Sequence, residues 1–162
     1  MTRQQLSGDV WQPPSQSEYK LNFDAAIFLG LDRLGYSAII RNDKGEVMAS
    51  MSASGPKVST SDEAELLACW RAIEFAVDAG FSRLIIEGDN SNVIPSISSH
   101  LEIFSVFGNV VNDIRHLIWG LQWTRVCCVR RGANKVAHAL TQYARNSLDE
   151  DLYWMKDSPP PA

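Results

Sequence analysis

The sequence predicts an α/β domain built on a five-stranded mixed sheet, three antiparallel strands followed by two parallel ones, with helices on both faces. Three observations predict it. Short apolar runs joined by tight turns fill the first third of the chain. Near residue 60 the apolar period changes from two to about 3.6. From there, helical and strand patterns alternate. The chain has 162 residues, of which 45% are apolar, enough for one domain with a substantial core.

Residues 20–29 mix aromatic and aliphatic side chains between turn signals and read as the first strand. A turn at 30–33 leads to a second strand at 35–41. Asn42-Asp43-Lys44-Gly45 is a tight hairpin turn, and 46–54 is the third strand. Leu66, Cys69, Trp70, Ile73 and Val77 then recur at helical spacing. Thr60 followed by Glu63 fits a capping box at the start of that helix, and Gly80 fits the position just past its end. Arg83-Leu84-Ile85-Ile86-Glu87 suits a buried parallel strand. Gly88-Asp89-Asn90 turns the chain into a short helix over 91–97. A longer helix covers 106–119, a fifth strand 123–129, and a closing helix 133–147. Residues 1–19, with Pro13-Pro14, form a polar leader expected to be loosely held. Residues 20–150 form the domain, and 151–162 a Pro-rich tail.

No stretch reaches the roughly 18–20 apolar residues of a membrane span, and residues 1–10 lack the apolar centre of a secretory signal. Three cysteines, two of them the adjacent Cys127 and Cys128, fit reduced thiols in an intracellular, reducing compartment such as the nucleus or cytoplasm. The net charge of −4 opposes nucleic-acid binding, but the charge is uneven. Residues 121–148 carry Arg125, Arg130, Arg131, Lys135 and Arg145 and no acid. They form either a solvated face or a phosphate-binding surface.

Three acids stand at informative places. Asp24 interrupts the apolar first strand, where a buried carboxylate needs a cation or several donors. Asp89 ends the fourth strand, at the edge where sheets of this kind bind ligands. Glu65 lies in the first turn of the long helix. Each has a plainer role open to it: Asp24 at an edge or bulge, Asp89 as a helix cap, Glu65 as a partner of the helix dipole. Spacing does not separate Glu65 from Glu63. Carboxylates packed together repel one another, and hard divalent cations such as Mg²⁺ remove that penalty.

These segments together resemble the plant ribonuclease H-like domains of non-LTR retroelement reverse transcriptases and of stand-alone plant proteins. The resemblance runs from about residue 11 to 160. It rests on Trp11-Gln12-Pro13-Pro14, Lys20-Leu21-Asn22-Phe23-Asp24-Ala25-Ala26, Ile40-Arg41-Asn42-Asp43-Lys44-Gly45, Ala64-Glu65-Leu66-Leu67-Ala68, Glu87-Gly88-Asp89-Asn90-Ser91 and Arg131-Gly132-Ala133-Asn134-Lys135-Val136-Ala137-His138-Ala139-Leu140. It implies that Asp24, Glu65 and Asp89 bind two Mg²⁺, with Mn²⁺ as substitute, and it selects Glu65 over Glu63. It also implies hydrolysis of the RNA strand of RNA–DNA hybrids. His138 falls on the fourth catalytic position, which the wider superfamily fills with an acid. Arg125, Arg130, Arg131, Lys135, Asn90 and Asn134 are the expected nucleic-acid contacts. The chain departs from the pattern at Ala25, where Gly is usual, and at Ser61-Asp62-Glu63, whose two acids would repel phosphate. The loop 130–133 lacks the His of many active members, and residues 1–162 contain no basic hybrid-binding module.

Three functions follow for comparison: a metal-dependent hybrid endonuclease, a ribonuclease H-like module that binds nucleic acid or a protein partner without cleaving it, and a retroelement remnant with neither role. The Asp/Glu/Asp set favours the first. The acidic composition, Asp62-Glu63 and His138 favour the second.

Overall fold

The structure, a computed structural model, describes residues 9–98, 108–147 and 150–156. The first eight residues of the expected leader, the first two of the expected 106–119 helix and residues 157–162 of the expected tail lie outside them.

Strands β1 (Tyr19–Phe28), β2 (Arg33–Arg41) and β3 (Val47–Pro56) form the antiparallel meander. The β2–β3 turn is held by the Asn42 side chain, whose Oδ1 accepts from the amides of Lys44 and Glu46 at 3.0 and 2.9 Å. Gly45 closes it at φ +76°, a left-handed conformation that glycine adopts without steric cost.

Helix α1 (Ser61–Asp78) starts where the sequence indicates. Thr60 Oγ1 accepts from the Glu63 amide at 3.2 Å, and the Glu63 carboxylate accepts from the Ser59 amide at 3.1 Å. The helix ends with Gly80 at φ +92°, and the Phe81 amide donates to the Ala76 carbonyl, closing the C-terminal turn. Then follow β4 (Arg83–Gly88), α2 (Val93–Ser98), α3 (Gly108–Trp119), β5 (Trp123–Cys128), a 3-10 turn (Arg131–Asn134) and α4 (Lys135–Ala144).

The sheet has six strands rather than the five the sequence suggests, in the order β5-β4-β1-β2-β3-β6. The extra strand, β6 (Leu152–Met155), pairs antiparallel with β3 within a segment read as tail. β4 pairs parallel with both β1 and β5. Helix α1 covers one face of the sheet, with α3 packed beside it, over a core that includes Leu21, Phe23, Ile73, Leu84, Ile86 and Ile114. Helix α4 covers β1, β2 and β3 on the other face. Hydroxyls dock it there: Thr141 Oγ1 donates to Ser37 Oγ at 2.8 Å, and Ser52 Oγ donates to the Leu140 carbonyl at 2.7 Å. Such small residues let helix and sheet approach closely while their polar atoms stay paired.

The described part of the leader departs from the expected looseness. The Trp11 indole N–H donates to Asn22 Oδ1 at 3.0 Å, and its ring lies 3.9 Å from the Arg41 guanidinium carbon. An anchored aromatic with a buried partner is ordered whatever its neighbours' composition. Among the described residues no helix is long and apolar enough to cross a membrane.

Candidate functional site

β1 is flanked by β4 and β2, so Asp24 is carried into the interior with only 3% of its surface exposed. Glu65, one turn into α1, is 6% exposed. Asp89 follows the last residue of β4. Carboxylate oxygens of these three residues lie within 4.8 Å of one another. Glu63, the other candidate, is turned away into the cap of α1.

Burial and close packing shift the ionisation of two of these acids. Burial, then the neighbouring Asp89, push Asp24 up to about 6, with His138 pulling the other way. Burial, then Asp24 and Asp89, push Glu65 up to about 9. Glu65 Oε2 and Asp89 Oδ2 are buried and make no hydrogen bond among the described residues. A hard-oxygen cluster with unsatisfied buried lone pairs is the donor set that a small divalent cation requires. Asp24, Glu65 and Asp89 therefore fit a metal ion and could hold one.

Two basic side chains, His138 and Arg131, border the cluster. His138 Nδ1 lies 3.2 Å from Asp24 Oδ2, with the ring 39% exposed. Arg131 Nε is 3.9 Å from Asp89 Oδ2. The remaining expected nucleic-acid residues have different surroundings. Arg125 is exposed on β5 and lines a cavity of about 600 Å³ beneath the leader. Arg130 is turned to Asp9 at 3.3 Å. Lys135 is exposed at the start of α4. Asn90 serves its own backbone: its Oδ1 caps the next turn through the Asn92 and Val93 amides, and its Nδ2 donates to Asp62 at 3.0 Å. That bond also engages one of the two acids expected to repel phosphate.

Asn134 is a correction. Expected at the nucleic-acid surface, it is fully buried, and both ends of its amide are used within the chain. Its Nδ2 donates to the Phe23 carbonyl at 2.8 Å, and its Oδ1 accepts from Asn22 Nδ2 at 3.1 Å. It fixes the backbone immediately before Asp24 and offers nothing to a ligand.

A comparison with a described family decides the kinship. Residues 22–144, well over half of the chain, match the family described as reverse transcriptase-like. The chain belongs to the reverse transcriptase-like family. No curated protein sequence matches this reverse transcriptase-like chain. Solved structures similar to it include RNase H1 from the halophilic archaeon Halobacterium salinarum NRC-1. That structure is 21% identical, with TM-score 0.73 over 80% of this chain and 98% of that one. The N-terminal RNase H domain of a Mycobacterium tuberculosis protein is 17% identical, with TM-score 0.70 over 80% and 94%. LC11-RNase H1 in complex with an RNA/DNA hybrid is 16% identical, with TM-score 0.70 over 80% and 98%. At these identities the likeness establishes the fold, which is ribonuclease H-like.

Sequence reasoning missed the support behind the site of this reverse transcriptase-like domain. Asn22, fully buried, donates to Glu87 Oε1 at 3.0 Å and accepts from Trp11 and Arg41. Lys20 Nζ reaches Glu87 Oε2 at 3.3 Å and the Gln12 carbonyl at 2.6 Å. The signal was present. Lys20, Asn22 and Asp24 alternate along β1, and period two places them on one face of the sheet. A polar stripe on a buried strand predicts a network, because each member must find a partner.

Proposed function

We propose that this domain hydrolyses the RNA strand of RNA–DNA hybrids, using Mg²⁺ held by Asp24, Glu65 and Asp89, two ions in all, with Mn²⁺ able to substitute. The single observation that carries this reading is the meeting of three nearly dry carboxylates, two of them with unsatisfied buried oxygens. Divalent ions bound there would supply Lewis acidity toward a phosphodiester. The chain's own residues do the rest. His138 holds Asp24 in orientation through Nδ1 and keeps Nε2 on the opposite edge of a partly exposed ring, suited to proton exchange with the substrate or a water. Arg131, beside Asp89 and 77% exposed, is placed to meet a phosphate entering the site. Asn134 steadies the β1 backbone from behind. We further propose a plant, retroelement-related origin, on the sequence motifs, and a reducing compartment, in keeping with three free thiols.

A second reading has its own support. His138 and Arg131 already stand beside two of the three acids, which weakens the demand for a cation. On that reading the domain binds nucleic acid or a protein partner with little or no cleavage. A labelled RNA–DNA hybrid incubated in Mg²⁺ and in Mn²⁺, with Asp89→Asn as control, separates the two. Metal-dependent cleavage of the RNA strand, lost in Asp89→Asn, supports the nuclease. Binding without cleavage in either metal supports the second reading.

A further inference from the structure

β6 lies beyond the region shared with the reverse transcriptase-like family, which ends at residue 144. It is an edge strand, and its sequence is Leu-Tyr-Trp-Met. All four residues are exposed: Leu152 by 37%, Tyr153 by 57%, Trp154 by 48% and Met155 by 43%. Tyr143, on the flanking α4, is 54% exposed. Proteins usually blunt such an edge with lysine, proline or a bulge. Here β6 carries none of these, and the adjoining Lys156 is drawn back to Glu46 at 3.0 Å.

Register decides which backbone groups are open. The Lys156 amide donates to the Met48 carbonyl, so the bonded positions of β6 toward β3 alternate through Lys156, Trp154 and Leu152. Tyr153 and Met155 therefore turn their N–H and C=O groups outward, away from β3. These two residues are self-complementary under a two-fold axis. With an identical antiparallel strand, Tyr153 pairs with Met155 of the second copy and Met155 with its Tyr153, closing four main-chain hydrogen bonds. Trp154 then faces its own copy across a non-hydrogen-bonded pair, where Cα atoms come within about 4.5 Å and side chains touch. Open space flanks the strand on both faces. A cavity of about 210 Å³ is lined by Ser50, Ser52, Leu140, Tyr143 and Trp154, and one of about 300 Å³ by Tyr36, Met51, Phe75 and Tyr153.

We propose that β6 is a homodimerisation edge, joining two copies of this chain into one continuous sheet about a two-fold axis at Trp154. The exposed surface of β6 and Tyr143 is on the order of 500 Å² per copy, short of the roughly 800 Å² per partner of a standard interface. The dimer is accordingly weak and concentration-dependent. It does not rest on the nuclease reading, and its variants lie outside the carboxylate site.

Sedimentation velocity of the whole chain from roughly 5 to 500 µM tests it, a range chosen for an interface of this size. The weight-average mass of the wild type should climb from one copy toward two. Trp154→Glu and Trp154→Lys should each stay monomeric, because each sets like charges against itself. Their equimolar mixture should associate at least as well as the wild type. Tyr153→Pro removes an outward amide, and with it the ring that lies against Phe75, but no main-chain bond to β3, so it should stay monomeric while the Trp154 amide keeps its protection from hydrogen exchange. A wild type that is monomeric throughout, a Trp154→Glu protein that still dimerises, or a charge-swapped mixture that does not associate would each overturn the proposal.

Discussion

At the scale of single residues, Glu65 makes the metal-free fold pay in stability, and the sign of that effect can be stated. Its carboxyl is pushed from 4.5 up to about 9. Between those values the folded state holds a proton that the unfolded chain has released, so stability falls as pH rises through the window and levels off above it. In chelator, raising the pH from 5 to 7 should cost on the order of 2 kcal/mol, a fall in Tm of several degrees. Glu65→Gln should flatten that slope and melt higher at pH 8, as thermal denaturation of the two proteins will show. Adding Mg²⁺ should raise the wild-type Tm more at pH 8 than at pH 5, and should leave the Tm of Glu65→Gln nearly unchanged. His138 carries a separate expectation. An imidazole suits Mn²⁺ better than Mg²⁺, whereas a carboxylate suits both. Hybrid cleavage by the wild type should therefore be faster in Mn²⁺, and His138→Asp should move the preference toward Mg²⁺. Identical metal ratios for the two proteins would make His138 a bystander.

At the scale of elements, the anchored leader is the part whose removal is most informative. Trp11→Ala deprives buried Asn22 of a donor and Arg41 of its aromatic cover. A loss of about 2–4 kcal/mol is expected, from a large-to-small change combined with the loss of one of the two hydrogen bonds to Asn22 Oδ1, the Arg41 bond remaining. Chemical denaturation with unchanged m-value will check it. The same elements show what the sequence could convey. The boundaries of α1 were legible, because Thr60, Glu63 and Gly80 act locally through their own backbone. Asp24, Glu65 and Asp89 were legible as acids in places where acids are costly. The choice between Glu63 and Glu65 was not legible from spacing, since it depends on which carboxylate turns back to the Ser59 amide. The role of Asn134 was hidden for a similar reason: its partners, Phe23 and Asn22, are more than 100 positions away. β6 was missed because Leu-Tyr-Trp-Met is too short to show a period, and prolines follow it.

At the scale of the whole molecule, a net charge of −4 sets the terms of any contact with nucleic acid. Of the basic run, Arg130 is committed to Asp9, while Arg131 stands at the mouth of the carboxylate cluster. Hybrid affinity should fall with salt on a shallow slope, and Arg131→Ala should make that slope shallower by about one. Arg130→Ala should leave it within error. Fluorescence anisotropy with a labelled hybrid at several salt concentrations measures both. A slope that responds to Arg130 and not to Arg131 would move the contact surface toward the leader.

The bond from Asn134 to the Phe23 carbonyl spans 111 positions along the chain, and it has a consequence for synthesis. A ribosome completes Asp24, Glu65 and Asp89 well before it reaches Asn134 and His138. At about 5–20 residues per second the interval is a few seconds. During that time neither the buried amide nor the imidazole is present to steady β1. The network behind the centre is therefore completed only by the 3-10 turn and α4, and a chain cut before residue 134 would carry all three acids of the cluster without the bonds that hold β1 behind them.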